Sequence, residues 1–407
     1  MVQSGPDKSY DAIVVGARCA GSPIAMLLAR KGYRVLLVDR ATFPSDTVST
    51  HVVHPMAAAA LKRWGLLERV IASGCPPIHT YAFDFGPFTI AGAPGTTASP
   101  VAYCPRRIVL DKILIDAAAA AGAEVREGFS VEEILLEDGR AIGVRGASQG
   151  AASVTEHARL VIGADGRNSI VAQGVGAERY NERPALLAIY YSYWSGVPMH
   201  GRFETTIRPH RGFAAAETND GLTMIVGGWP QSEFADIKRD LDGAFEQLIA
   251  LSPALAERTR SGKREARLAG AVTPNFFRKP FGLGWALVGD AGYLKDPVTA
   301  QGILDAFRDA ERCAQAADEA LSGRRPYAAA MHDYQSERDA AAAPMYDFTY
   351  MLAALEPPPP DLQRLLAAVH GNPKAMDAFA QTNAGTMSPA QFFAPEHIDP
   401  ILNASRS

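Results

Sequence analysis

Tyr10-Asp-Ala-Ile-Val-Val15, Gly16-Ala-Arg-Cys-Ala-Gly21 and Ser22 to Lys31 follow one another directly near the start of the chain. The first piece is short, apolar and β-branched and predicts a buried strand, the second is a turn bounded by glycines, and the third carries Ile24, Leu27 and Leu28 on one helical face. Strand, glycine turn and helix in this order form a dinucleotide fingerprint, in which backbone N–H groups at a helix N-terminus hold a pyrophosphate. Arg34-Val-Leu-Leu-Val-Asp39 then predicts a second strand that ends in an acid, where a ribose-binding carboxylate belongs. The expected fold class is α/β. Arg18 occupies the middle fingerprint position, where glycine is usual; its guanidinium either helps to neutralise phosphate or points to solvent.

A second stretch makes the ligand specific. Gly289-Asp-Ala-Gly-Tyr-Leu-Lys-Asp-Pro-Val-Thr-Ala-Gln-Gly302 follows the apolar run Trp285-Ala-Leu-Val288 and precedes an amphipathic helix that starts near Ile303. An acid at a strand end can bond a sugar hydroxyl, and small residues opening a helix leave its N–H groups free for an anion. Those features suit the ribitol-phosphate chain of FAD.

With these motifs in place, the chain resembles the class A flavoprotein monooxygenases, the family of para-hydroxybenzoate hydroxylase, over roughly residues 10 to 345 and as a divergent branch. The resemblance also rests on Val161-Ile-Gly-Ala-Asp-Gly-Arg-Asn-Ser169, similar to the family's Asp-Gly motif, and on Arg107 followed by Leu110 and Leu114. Departures are Tyr293 where a histidine is common, Gly292 for the second alanine, and Ala172 where an arginine is often found. What the resemblance implies is a Rossmann-type FAD-binding domain (glutathione reductase-like) with an inserted antiparallel β-sheet substrate domain and a helical C-terminal segment. It also implies FAD contacts from Gly16, Ala20, Gly21, Asp39, Arg40 and Arg107, from Val131, Asp165 and Gly166, and from Gly289, Asp290, Pro297, Gln301 and Gly302.

The pattern along the chain is consistent with that layout. Residues 1–75, 101–180 and 276–345 are expected to form a discontinuous FAD-binding domain, 76–100 and 181–275 a substrate domain, and 346–407 a C-terminal helical segment. Strands are predicted at Leu187 to Trp194, Gly201 to Arg208, Gly212 to Glu217 and Leu222 to Gly228, with Asn219-Asp220-Gly221 as a hairpin turn. Residues 233 to 260 return to helix, and Ala271 to Pro274 leads back toward the cofactor domain. The segment after Pro357 to Pro360 is expected to be a structural strap, with a pocket cap or a dimer contact as alternatives.

At 407 residues and 47% hydrophobic, the chain can bury more than one core. A net charge of -4 without a basic tract argues against nucleic acid as a partner. Cys19, Cys75, Cys104 and Cys313 show no Cys-x-x-Cys spacing, so no metal is expected. A polar N-terminus and the lack of about 18 consecutive apolar residues point to a cytoplasmic enzyme, monomer or homodimer, that does not enter the membrane.

The reaction implied by the resemblance is monooxygenation: NADH or NADPH reduces the flavin, dioxygen forms a flavin hydroperoxide, and a small, largely apolar, possibly aromatic substrate is hydroxylated or oxygenated. His51, Tyr193 and Arg211 are the candidate catalytic residues. His51 and His54 lie in a loop that in this family is near the flavin, and either orients substrate, moves a proton or serves as a structural histidine. Tyr191, Tyr193, Trp194, Arg211 and Trp229 lie on the predicted sheet, where alternation keeps neighbouring side chains from facing the same way. Lys295 and Asp296 precede Pro297 near the expected ring. The alternative reaction is reduction of carbon–carbon double bonds, as in geranylgeranyl reductases, with Tyr191-Ser-Tyr-Trp194 faintly similar to part of their signature. A halogenase ranks third because the Trp-x-Trp-x-Ile-Pro motif is absent, and a non-catalytic flavin sensor ranks last.

Overall fold

The computed structural model describes residues 9 to 404. Its centre is a sheet of five parallel strands in the order Trp285–Leu287, Val154–Gly163, Tyr10–Val15, Val35–Val38 and Glu124–Arg126. Both faces are covered, so the strands are apolar on both sides rather than alternating with polar residues. Ala12 and Val14 face a core shared with the helices Gly21–Arg30, Arg107–Ala120 and Gly302–Leu321. Ile13 and Val15 point the other way, into a core with Phe129, Ile134 and Val144 of the hairpin Phe129–Glu137/Arg140–Ser148. This hairpin turns at Asp138 and Gly139, both with positive φ.

Backbone approach at the fingerprint demands its glycines. A Cβ on Gly21 would lie 1.6 Å from the Gly16 carbonyl oxygen, and one on Gly16, where φ is +101°, would lie 2.5 Å from the Ala164 oxygen. Any side chain at either position separates the helix from the sheet.

A second sheet runs Lys263–Arg264, Leu187–Ser195, Leu222–Pro230, Arg211–Glu217, Arg202–Arg208, Thr80–Asp84 and Thr89–Gly92, with Ala269–Val272 also paired to Leu187–Ser195. The stretch read as a lead back toward the first sheet is therefore in part a strand, and residues 80–92 add two strands to the expected sheet. The Asn219-Asp220-Gly221 turn is present, with positive φ at Asp220 and Gly221. Alternation divides the sheet as expected. Tyr191 and Tyr193 share one face and one core, whereas Trp194 and Trp229 pack on the other with Phe245 and Leu248 of the helix Leu241–Ile249.

The C-terminal helices Pro360–Val369, Pro373–Asn383, Pro389–Phe392 and Pro395–Ala404 cover the tyrosine face of this sheet through Leu365, Val369, Phe379 and Phe392. They are tied to the loop before Gly302–Leu321 by the Gln301 amide, which donates to the Asn383 carbonyl at 2.9 Å. Among the described residues, no helix is long and apolar enough to cross a membrane.

Candidate functional site

Three far-separated stretches converge on one cavity of about 970 Å³, at the upper end of the range of about 300–1,000 Å³ common for ligand sites. Its first wall is the fingerprint, with Gly16, Arg18 and Ala20, and the end of the second strand, with Asp39 and Arg40. Val131, Asp165, Gly166 and Arg107 stand beside them. The opposite wall is Asp290, Pro297, Gln301 and Gly302, and the far end meets the second sheet at Ile189, Tyr191, Val226 and Ala271. Gly21 and Gly289 are the two expected contact residues that do not line the cavity: Gly21 is spent on helix–strand packing, and Gly289 lies against Ala20 and Ala306.

Asp39 follows its strand, and its carboxylate accepts from the Ala17 amide at 2.7 Å and the Ala41 amide at 2.8 Å, which fixes it against the fingerprint turn. Asp165 caps the short helix Ile170–Gly174, accepting from the Ser169 hydroxyl at 2.5 Å and the Ile170 amide at 2.6 Å. Burial raises its pKa, and those donors oppose the rise. Gly166 beside it has φ +76°, a conformation that suits glycine.

Asp290 is different: no hydrogen-bond partner meets its carboxylate among the described residues, and it opens onto the cavity. Protein surrounds that opening, and burial pushes the carboxyl up to about 6, against the pull of Arg107 and Lys295. Other polar atoms on the same loop are also unmet, namely the Tyr293 hydroxyl, Asp296 Oδ2 and Gln301 Oε1. Native structures seldom leave such atoms without partners, so the loop has the chemistry of one built around a polar ligand. The 20-residue helix Gly302–Leu321 begins at the cavity, and space is open where a Gly302 side chain would stand. Its first-turn N–H groups and positive dipole end favour an anion there.

Arg18 lines the cavity and is held there by protein partners. Its guanidinium donates to Asp111 at 2.6 Å and to the Ser45 hydroxyl at 3.0 Å, and it lies 5.2 Å from the Phe43 ring centroid. Asp111 is fully buried and also accepts from Arg107 at 2.9 and 3.0 Å. This carboxylate, which holds two arginines at the cavity wall, was missed in the sequence; its spacing of four from Arg107 on a helix was the available signal. The loop Thr47–Thr50 also lines the cavity and carried no motif.

Of the three candidate catalytic residues, His51 and Tyr193 are brought together and Arg211 is not. His51 Nε2 is hydrogen-bonded to the Tyr193 hydroxyl, with the rings stacked at 5.7 Å, and the Tyr191 ring meets His51 edge-on at 5.3 Å. His51 and Tyr193 thus form a buried pair behind Tyr191, and Tyr191 is the member that reaches the cavity wall. Burial, with Arg107 and Arg106 nearby, lowers the His51 pKa to about 3, so the ring is neutral at pH 7. Arg211 is elsewhere, paired with Glu233 at 2.7 and 3.0 Å and outside the cavity lining. Arg211 is the first residue of its strand, and the carboxylate that meets it follows the neighbouring strand Leu222–Pro230. His54 is a structural histidine, bonded to the Tyr81 hydroxyl at 2.7 Å and the Thr299 carbonyl at 3.1 Å. Lys295 is buried in an ion pair with Asp305.

The model of the family described as FAD binding domain matches residues 9–228, more than half of the chain. The chain belongs to this family of class A flavoprotein monooxygenases. It is an FAD-dependent oxidoreductase by family, and its α/β architecture is the family's FAD-binding fold. The protein FixC of Salmonella typhi is 33% identical over 176 residues, which cover 41% of this chain and 39% of FixC, so the chain matches about two-fifths of that relative. A digeranylgeranylglycerophospholipid reductase of Methanocella arvoryzae is 26% identical over 324 residues, 73% of this chain and 74% of the reductase. Among solved structures, the myxobacterial chondrochloren halogenase CndH superposes with a TM-score of 0.80 at 22% identity, covering 98% of this chain and 97% of its own. That likeness concerns the fold.

Proposed function

We propose that the protein is a monooxygenase that takes electrons from NADH or NADPH and transfers one oxygen atom of dioxygen to a small, largely apolar, aromatic substrate. The observation that carries this reading is the continuity of the cavity, which runs from the family's cofactor motifs to an apolar sheet wall of Ile189, Tyr191, Val226 and Ala271. A substrate on that wall lies in the same enclosure as the ligand held by the motifs, which is what positioning and exclusion of water require. When bound, FAD supplies the redox chemistry, accepting a hydride from the nicotinamide and reducing dioxygen as the substrate is oxygenated.

The chain's residues divide the remaining work. Asp39 would hold the adenosine ribose, the fingerprint amides and Arg107 the pyrophosphate region, and Asp290 a ribityl hydroxyl. Asp165, Gly166, Val131 and Arg40 would complete the cofactor wall. The amides at Gly302 would favour negative charge on the flavin as it is reduced. The His51–Tyr193 pair would fix Tyr191 against the substrate. In this reading residues 1–75, 101–180 and 276–345 form the FAD-binding domain, 76–100 and 181–275 the substrate domain, and 346–407 a strap behind it, with 1–8 and 405–407 outside the described residues.

The test is oxygen-electrode turnover of the yellow protein with NADH or NADPH and a panel of aromatic compounds. Substrate-stimulated oxygen uptake with an oxygenated product is expected. Flavin-loaded protein that neither nicotinamide reduces, with or without any panel compound, refutes the proposal. The similarity to the archaeal reductase favours a second reading, reduction of carbon–carbon double bonds. Anaerobic turnover with a saturated product would establish it.

A further inference from the structure

The cavity contains an acid that the cofactor motifs do not employ. Asp296 is 1% exposed and lines the cavity where the Pro297 loop meets the second sheet. Its backbone amide is fixed by the Asn275 side-chain oxygen at 2.7 Å, and its Oδ1 accepts from the Val298 amide at 3.2 Å. The side chain therefore has a defined orientation. Oδ2 has no hydrogen-bond partner among the described residues. The nearest cation in sequence, Lys295, is engaged by Asp305, so it does not neutralise Asp296. Burial pushes the Asp296 carboxyl up to about 7, opposed by the Val298 amide and, more weakly, by the Leu187 amide, which is near the carboxylate but out of hydrogen-bond geometry with Oδ2. The cavity wall on the sheet side of this acid includes the apolar side chains of Ile189, Val226 and Ala271.

A buried carboxyl oxygen without a partner beside an apolar wall is costly until something bonds to it. We propose that Asp296 determines substrate preference by accepting a hydrogen bond from a hydroxyl or N–H group on an otherwise apolar substrate. The proposal rests on the monooxygenase reading for the reaction, but the recognition is a binding event and stands apart from turnover. The matched substrate satisfies Oδ2, whereas its methylated analogue leaves Oδ2 unpaired and adds bulk at the same point. A site made to bond a substrate hydroxyl rejects an analogue without it far more strongly than an apolar pocket discriminates by size.

The experiment uses the FAD-loaded full chain and two matched pairs of probes, 2-naphthol with 2-methoxynaphthalene and indole with N-methylindole. Dissociation constants are read from the change in flavin absorbance, and kcat/KM is measured in parallel. In the wild type, the donor member of at least one pair should bind at least about tenfold more tightly, equivalent to about 1.4 kcal/mol. Asp296→Ala should reduce that ratio to within about twofold while retaining its flavin. Asp296→Asn keeps an oxygen for the Val298 amide and should fold even if the alanine variant does not; its NH2 group then stands in place of Oδ2 and can only donate, so the preference for the donor probe should be lost here as well. A wild type without the preference, a preference unchanged in both variants, or failure of every donor probe to bind overturns the proposal. Binding preference without oxygen uptake refutes only the monooxygenase reading. A shift in flavin reduction potential in Asp296→Asn with the preference unchanged would assign the acid to the cofactor instead.

Discussion

Asp290 makes opposite predictions for the apoprotein and the holoprotein. Its carboxyl is raised from 3.8 to about 6, chiefly by burial. The folded state thus holds the Asp290 proton more tightly than the unfolded chain between those values. Stability falls as pH rises through this window and remains lower above it. At about 1.4 kcal/mol per pKa unit, the rise amounts to about 3 kcal/mol; water reaching the carboxyl through the cavity screens this to about 1 kcal/mol. Asp290→Ala should therefore make the flavin-free protein about 1 kcal/mol more stable than the wild type at pH 7, with the two converging near pH 4. The same change should weaken FAD binding by about 10- to 150-fold, the equivalent of one charge-assisted hydrogen bond of about 1.5–3 kcal/mol. Urea unfolding of both apoproteins at pH 4, 5.5 and 7 reads the first effect, and flavin fluorescence titration reads the second. Unchanged FAD affinity would refute the assignment of this acid, and an apoprotein destabilised equally at every pH would refute the electrostatic argument.

The fingerprint and the second histidine provide independent checks. Gly16→Ala places a methyl group 2.5 Å from the Ala164 oxygen at a φ of +101°, so loss of bound flavin and a destabilisation of more than about 2 kcal/mol by thermal unfolding are expected. His54 is held near pKa 4, below its ordinary 6.5, by burial; the unfolded chain then binds more protons between those values and the wild type loses stability on acidification. His54→Gln lacks this proton, so its stability relative to the wild type should improve by up to about 1.4 kcal/mol per pH unit from pH 6.5 down to 4. Parallel denaturation midpoints across that range would contradict the buried, neutral assignment.

The limit of what the sequence revealed lies between backbone requirements and side-chain partnerships. The Gly16–Gly21 turn, the Asp39 strand end, the Asp138-Gly139 and Asn219-Asp220-Gly221 turns and the start of the helix at Gly302 were legible because each is dictated by local geometry: positive φ, a close approach, or a free helix N-terminus. Arg18, Arg211 and His51 were not, since the chain can satisfy a charge or ring from any distance in sequence. Asp111 lies 93 residues from Arg18 and Tyr193 lies 142 from His51, and only folding decides those pairs. The same distinction separates the acids at the cavity. Asp39 and Asp165 are oriented by backbone amides that local structure supplies. Asp296 retains a buried carboxyl oxygen that no described residue meets, and Asp290 opens onto the cavity without a hydrogen-bond partner among the described residues; protein surroundings raise both toward neutrality. An acid that the fold surrounds but does not bond gains most when a ligand arrives, so these two should be the residues whose replacement changes what the protein binds more than whether it folds.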